Sequence, residues 1–167
     1  VTERSLTPAQ IADSQARTSP HAYLGFMLID HPQLPDPIRV VSDVVDYVWQ
    51  GETWTAIPFE PRPVTDTDGP PSVELSFQNI DWRIGEALAR TNVRARVSLY
   101  ILSSADFDLT VTPRAEIGTP DVIYSHFNFE LTDVDVTAAA ISGRLRLRDF
   151  SSEPYGIDAV EFPGLFA

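Results

Sequence analysis

The sequence predicts a mainly β fold: an antiparallel (split) β-barrel or sandwich, with one amphipathic helix after a central strand and a short N-terminal helix. Three observations point there. Apolar and polar residues alternate at Val73, Leu75 and Phe77, and again from Val93 through Ala95, Val97 and Leu99 to Ile101, the period of a half-buried strand. Fourteen Pro and eight Gly break the 167 residues into short pieces, as turns do in all-β proteins. Only two segments carry helix signals.

The first of these lies at the N-terminus. Thr7-Pro8-Ala9-Gln10 reads as a capping box, with Thr7 as N-cap, Pro8 at the first helical position and Gln10 reaching back. Leu6 and Ile11 stand at the spacing of a hydrophobic staple. The helix is expected to fade before Pro20, which disfavours helical geometry in the residue ahead of it. Its apolar face is thin, limited to Ile11, Ala12 and Ala16, so alone it would be marginal.

Strands then dominate. Ala22 to Ile29 is a dense apolar run, AYLGFMLI, consistent with a buried strand. Ile38–Val41, Val44–Trp49 and Glu52–Phe59 follow as strands, with Gln50-Gly51 as a tight turn between the last two. Pro61 to Pro71 is a loop with Asp66, Asp68 and Gly69 at its tip. After the strand at 73–77, Asn79 or Asp81 can cap a helix whose Ile80, Ile84 and Leu88 share one face. Further strands are expected at 93–101, Leu109–Val111, Tyr124–Leu131 and Ile141–Leu147. The last should turn Leu145 and Leu147 inward and Arg144, Arg146 and Arg148 outward. The organisation expected is an N-terminal helical arm over 1–20, a barrel-like domain over 21–150 and an extended C-terminal arm over 151–167.

Composition narrows the function classes. Twenty-four acidic residues face twelve basic ones, giving a formal net charge of -12, and every basic residue is Arg. So acidic a chain suits neither wrapping nor specific reading of nucleic acid, which needs a basic face. The absence of Cys removes disulfides, thiolate nucleophiles and Cys-ligated metal. No apolar run approaches the ~20 residues that span a bilayer, and the N-terminus has no signal-peptide pattern; a soluble protein made in a cytoplasm is expected, with no membrane insertion.

Motifs for chemistry are sparse. His21, His31 and His126 show no metal-ligand spacing, and no G-x-S-x-G elbow or Gly-rich phosphate loop occurs. Catalysis would require His126 in a cleft with a carboxylate, and no enzyme activity, cofactor or metal is expected. Asp66 and Asp68 could bind calcium, but they lack the remaining ligands of a calcium loop, and turn chemistry explains them with less machinery. Trp49, Trp54 and Trp82, with Tyr47 and Phe59, could form a carbohydrate-stacking platform, a barrel core or an oligomer interface. Arg144, Arg146 and Arg148 form either a solvated strand face or a charge-paired subunit contact.

PIRVVSD at 37–43, G-x-x-W-x-A-x-P-F-E at 51–60, the acidic Pro/Gly loop, VELSFQNID at 73–81 and EFPGLF at 161–166 together resemble a family of phage-encoded tail proteins known chiefly as a domain of unknown function. The similarity runs from Tyr23 to Phe166. The resemblance implies a structural component of the tail tip of a long, flexible-tailed phage, encoded near tape-measure, tail-peptidase and tip-attachment genes. Relatives are small β-barrels stacked as rings, and a larger hub relative in lambda-like phages carries a cysteine-ligated iron–sulfur cluster. That cluster has no ligands here. A baseplate hub or distal-tail position in the virion is implied, as a homo-oligomeric ring, with threefold symmetry slightly favoured over sixfold. Other tail proteins are the expected partners, with DNA only as passing cargo.

The interface candidates are Trp49, Trp54, Phe59, Arg144, Arg146 and Arg148, with Phe162, Leu165 and Phe166 of the C-terminal arm. Leaving those last three in water would cost about 1.5–3 kcal/mol per large apolar side chain. The competing expectation is a carbohydrate- or receptor-binding module. Exposed, coplanar Trp49 and Trp54 favour it, whereas burial of both favours the ring.

Overall fold

The computed structural model describes residues 3–4, 6–60, 72–78, 94–137 and 140–147. The expected 80–88 helix, the acidic tip at 66–69, Trp82, Arg148 and the C-terminal arm with Phe162, Leu165 and Phe166 lie outside the described residues.

Eleven strands are described. In chain order they are β1 (Glu3–Arg4), β2 (Tyr23–Asp30), β3 (Ile38–Val41), β4 (Tyr47–Trp49), β5 (Glu52–Ala56), β6 (Ser72–Gln78), β7 (Arg96–Ser103), β8 (Phe107–Asp108), β9 (Arg114–Glu116), β10 (Tyr124–Val136) and β11 (Ala140–Leu147). Helix α1 spans Pro8–Gln15, and a 3-10 turn spans Ser104–Asp106. At the start of α1, the Thr7 hydroxyl accepts from Gln10 N–H while the Gln10 side chain accepts from Thr7 N–H. The two reciprocal bonds satisfy donors that a helix start leaves open.

All strands join one sheet in the order β6-β11-β10-β7-β2-β3-β5-β4-β9-β8, with β1 added on β10. Two pairings are parallel, β3 with β5 and β4 with β9, and the rest are antiparallel. The expected antiparallel barrel or sandwich is therefore overturned. Among the described residues the sheet is mixed and open, and its terminal strands β6 and β8 do not pair with each other.

Packing explains why the sheet does not close. Strand β2 sends Met27 and Ile29 into one apolar cluster with Leu75, Leu131, Ile141 and Leu145. It sends Leu24 and Phe26 into a second cluster with Tyr47, Trp49, Trp54 and Phe107. Successive strand residues point to opposite faces, so the two clusters lie on opposite sides of β2. Strands β3 and β7 divide in the same way, Val40 from Val41 and Val97 and Leu99 from Leu102. The β10-β11-β6 end thus curls over one face of the central strands and the β5-β4-β9-β8 end over the other. Ends that curl in opposite senses cannot meet around a single barrel interior.

Local geometry follows residue chemistry. Gln50 and Gly51 both have positive φ (56° and 75°) in the two-residue hairpin between β4 and β5, the combination a type I′ turn requires. In β10 the pairing register slips by one residue between His126 and Phe129 against β7, and between Thr132 and Asp135 against β11. Asp133 has φ 52° at the second bulge, a conformation Asp tolerates better than most residues. The expected strand at Leu109–Val111 is instead a turn between β8 and β9. The Asp108 carboxylate accepts from both the N–H and the hydroxyl of Thr110, a local alternative to strand pairing.

Candidate functional site

The described interface candidates divide between the core and the sheet surface. Trp49 and Trp54 are 2% and 4% exposed. Their rings lie 5.3 Å apart and tilted by 39°, and Phe26 makes edge contacts with both at 5.1 and 5.2 Å. The Trp54 indole N–H donates to the Trp49 carbonyl at 3.3 Å, satisfying the one polar atom of a buried ring. They fill the second core and offer no stacking platform. Phe59 is half-buried and packs against the first core.

Beside the tryptophans lies a compact polar cluster that residue spacing did not single out. The Arg114 guanidinium donates from Nη1 to Asp43 Oδ2 and to the Tyr47 hydroxyl, each at 2.6 Å. The Tyr47 hydroxyl in turn donates to Asp43 Oδ2 at 2.7 Å. The guanidinium also stands 5.4 Å from the Tyr47 ring centroid, within cation–π range. Two further bonds brace the surroundings, from Ala56 N–H to Asp46 Oδ1 and from Arg114 N–H to the Asp46 carbonyl.

Burial first, and then the hydrogen bond to the Asp43 carboxylate, push the Tyr47 phenol up to about 12. Arg114 is also held above its ordinary value, chiefly by its bond to the Tyr47 hydroxyl. This chemistry keeps Tyr47 protonated and ties three chain segments together. The cue in the sequence was DVVDY at 43–47, which brings two carboxylates and a phenol into one short segment, but the arginine that joins them is 71 residues from Asp43.

Arg144 and Arg146 lie on the exposed side of β11, where Arg144 pairs with Glu74 of β6 at 3.4 Å and Arg146 with Asp133 of the β10 bulge at 3.5 Å. Beside them is a cleft of about 500 Å³ lined by Glu60, Glu74, Asp133 and Arg144 among others. The inward placement expected for Leu145 holds, at 3% exposed, but Leu147 at the end of β11 is 42% exposed. The strand has left the core by that point.

Among the described histidines, His31 is buried and its Nδ1 accepts from Gln33 N–H at 3.2 Å. His126 is buried between the rings of Tyr124 and Phe129, 5.1 and 4.6 Å away. Among the described residues no group of three or more His, Cys, Asp or Glu could hold a metal ion, and no helix is long and apolar enough to cross a membrane.

The geometry is that of an open, mixed β-sheet protein whose aromatics serve packing and whose paired charges line its surface. Residues 11–157 match the family described as Domain of unknown function (DUF1833), and the chain belongs to that family. No curated protein matches it.

Proposed function

We propose that this protein is a structural component of the distal tail or tail tip of a siphophage-like virion, in the baseplate hub or distal-tail ring. The observation that carries the reading is the burial of both Trp49 and Trp54. It removes the aromatic platform on which a sugar- or receptor-binding module would rest, and leaves the order of motifs through 37–88 as the guide. Half-exposed Arg144 and Arg146 with their acidic partners supply a charged strand face suited to contacts between subunits. The net charge of -12 fits a ring that passes DNA without holding it. In this reading the chain forms a homo-oligomeric ring, threefold in preference to sixfold, against tail-tube, tape-measure and tip-attachment proteins.

The deciding experiment is a cryo-EM map of intact virions from a phage encoding this chain. Density for the chain in a ring at the distal end of the tail is expected. Virions that lack the chain would overturn the reading.

A further inference from the structure

A second cleft, of about 650 Å³, lies away from the arginine face, between α1 and the body of the protein. Gln10, Asp13 and His21 line one wall and Ser103, Asp106 and Asp121 the other. The body side is firmly tied. Ala22 N–H donates to the Ser104 hydroxyl and Ser104 N–H to the Ala22 carbonyl, both at 2.9 Å, and Ile117 N–H donates to the Asp106 carbonyl at 2.8 Å. On the α1 side the chain is held to the body ahead of the helix, where β1 pairs with β10. The Ser19 hydroxyl donates to Asp13 at 2.6 Å and accepts from His21 N–H at 3.0 Å, while Leu6 and Ile11 remain largely exposed.

Asp106 lines the body wall. Its Oδ2 is buried and has no hydrogen-bond partner among the described residues. Burial and the neighbouring Asp121 carboxylate raise its pKa above the ordinary aspartate value, opposed by the Asp121 N–H bond and the charge of His21. The titratable groups facing it are Asp121 from the segment after β9, His21 from the entry to β2, and Asp13 from α1. An ionised carboxylate in this place leaves a buried Oδ2 without a partner and is repelled by Asp121, and the Asp121 N–H bond offsets this only in part.

We propose that this cleft is an acid-responsive joint, clasping the N-terminal helical segment when Asp106 is protonated and loosening it when Asp106 is ionised. The sign follows from linkage. The closed joint favours the protonated acid, so closure is strongest below the ordinary aspartate range and weakens as pH rises through the raised value. Each unit by which closure raises Asp106 changes the closure equilibrium by up to about tenfold. The device would let the helical segment serve a neighbouring surface under one condition and its own body under another.

Hydrogen exchange of the full chain, followed from about pH 4 to about pH 7 and corrected for intrinsic exchange, tests the joint across the aspartate range. Protection of the α1 amides should fall roughly threefold or more over that interval while β2 amides hold steady. In Asp106→Asn, α1 protection should stay high and flat. In Asp121→Asn, which removes the like charge, the wild-type fall should move to lower pH. Asp108→Asn, at the end of β8, should behave as wild type. Flat α1 protection in the wild type, or an unchanged fall in Asp106→Asn, would overturn the proposal. Should Asp106→Asn lose β2 protection as well, the Asp121→Asn displacement decides, and its absence overturns the joint.

Discussion

Replacing Tyr47 with Phe removes one oxygen atom from the Asp43–Tyr47–Arg114 cluster and leaves the buried ring in place. The hydroxyl donates to Asp43 at 2.7 Å and accepts from Arg114 at 2.6 Å. Hydrogen bonds to charged groups contribute about 1.5–3 kcal/mol each, but Arg114 also reaches Asp43 directly at 2.6 Å, so the ion pair survives the substitution. Its two side chains remain 22% and 19% exposed, and water can replace part of what is lost. A net destabilisation of about 1–2 kcal/mol at neutral pH is expected.

The same group makes a signed prediction with pH. A phenol raised from 10.0 to about 12 in the folded state contributes stability that is present below about pH 10 and lost as pH rises toward about 12. Two units correspond to at most about 2.7 kcal/mol, and the partial exposure of the partners reduces this to about 1–2 kcal/mol. Urea denaturation of wild type and Tyr47→Phe is the assay, read as a midpoint shift at constant slope. The wild-type advantage should shrink between about pH 10 and about pH 12, and the tyrosinate absorbance that Tyr47→Phe removes should be a late-titrating component, distinct from Tyr100, which burial also raises. Equal midpoints at neutral pH, together with a constant difference into the alkaline range, would refute the role given to the hydroxyl.

Trp54→Ala should cost about 3–5 kcal/mol, seen as a lowered melting temperature, because the ring belongs to the core; a merely surface-exposed tryptophan would leave stability nearly unchanged. Gly143→Ala should cost about 1–3 kcal/mol in chemical denaturation, since a Cβ there would stand 2.8 Å from Leu131 Cδ1 and 3.3 Å from the Thr132 carbonyl. Arg144→Ala with Arg146→Ala should change monomer stability by less than about 1 kcal/mol, given how exposed the two pairs are. If β11 meets a neighbour, the same double variant should lower assembly measured by analytical ultracentrifugation; unchanged assembly removes that face from the interface. On the proposed tail-tip reading, deleting Glu161 to Ala167 should impair recovery of assembled tails, and normal tails from that deletion would show residues 161–167 to be dispensable.

Much of the strand content was legible. Ile38–Val41 coincides with β3, and the alternation at 73–77 falls within β6, because period two survives wherever one face is buried. The Gln50-Gly51 hairpin was readable for a similar reason, since few residue pairs accept two positive φ angles. Sheet closure was not readable from alternation, which marks a buried face but not the direction in which the sheet bends. The cue lay in AYLGFMLI, whose lack of alternation fits a strand covered on both sides. At Leu109–Val111 apolar content suggested a strand, but the neighbouring Asp108 side chain had already turned the backbone. The polar cluster stayed hidden because its parts meet only when β4 and β9 pair, Tyr47 opposite Arg114.

The shared central strands have a further consequence. Since β2, β3 and β7 give alternate side chains to two separate interiors, they act as a party wall with a different household on each side. A change at Met27 is absorbed by one household and a change at Phe26 by the other, with only backbone in common. Volume exchanged within one side need not be answered across the wall, so substitutions on opposite sides should combine almost additively. Each end of the sheet is thereby free to reshape its outer surface while the other end keeps its form.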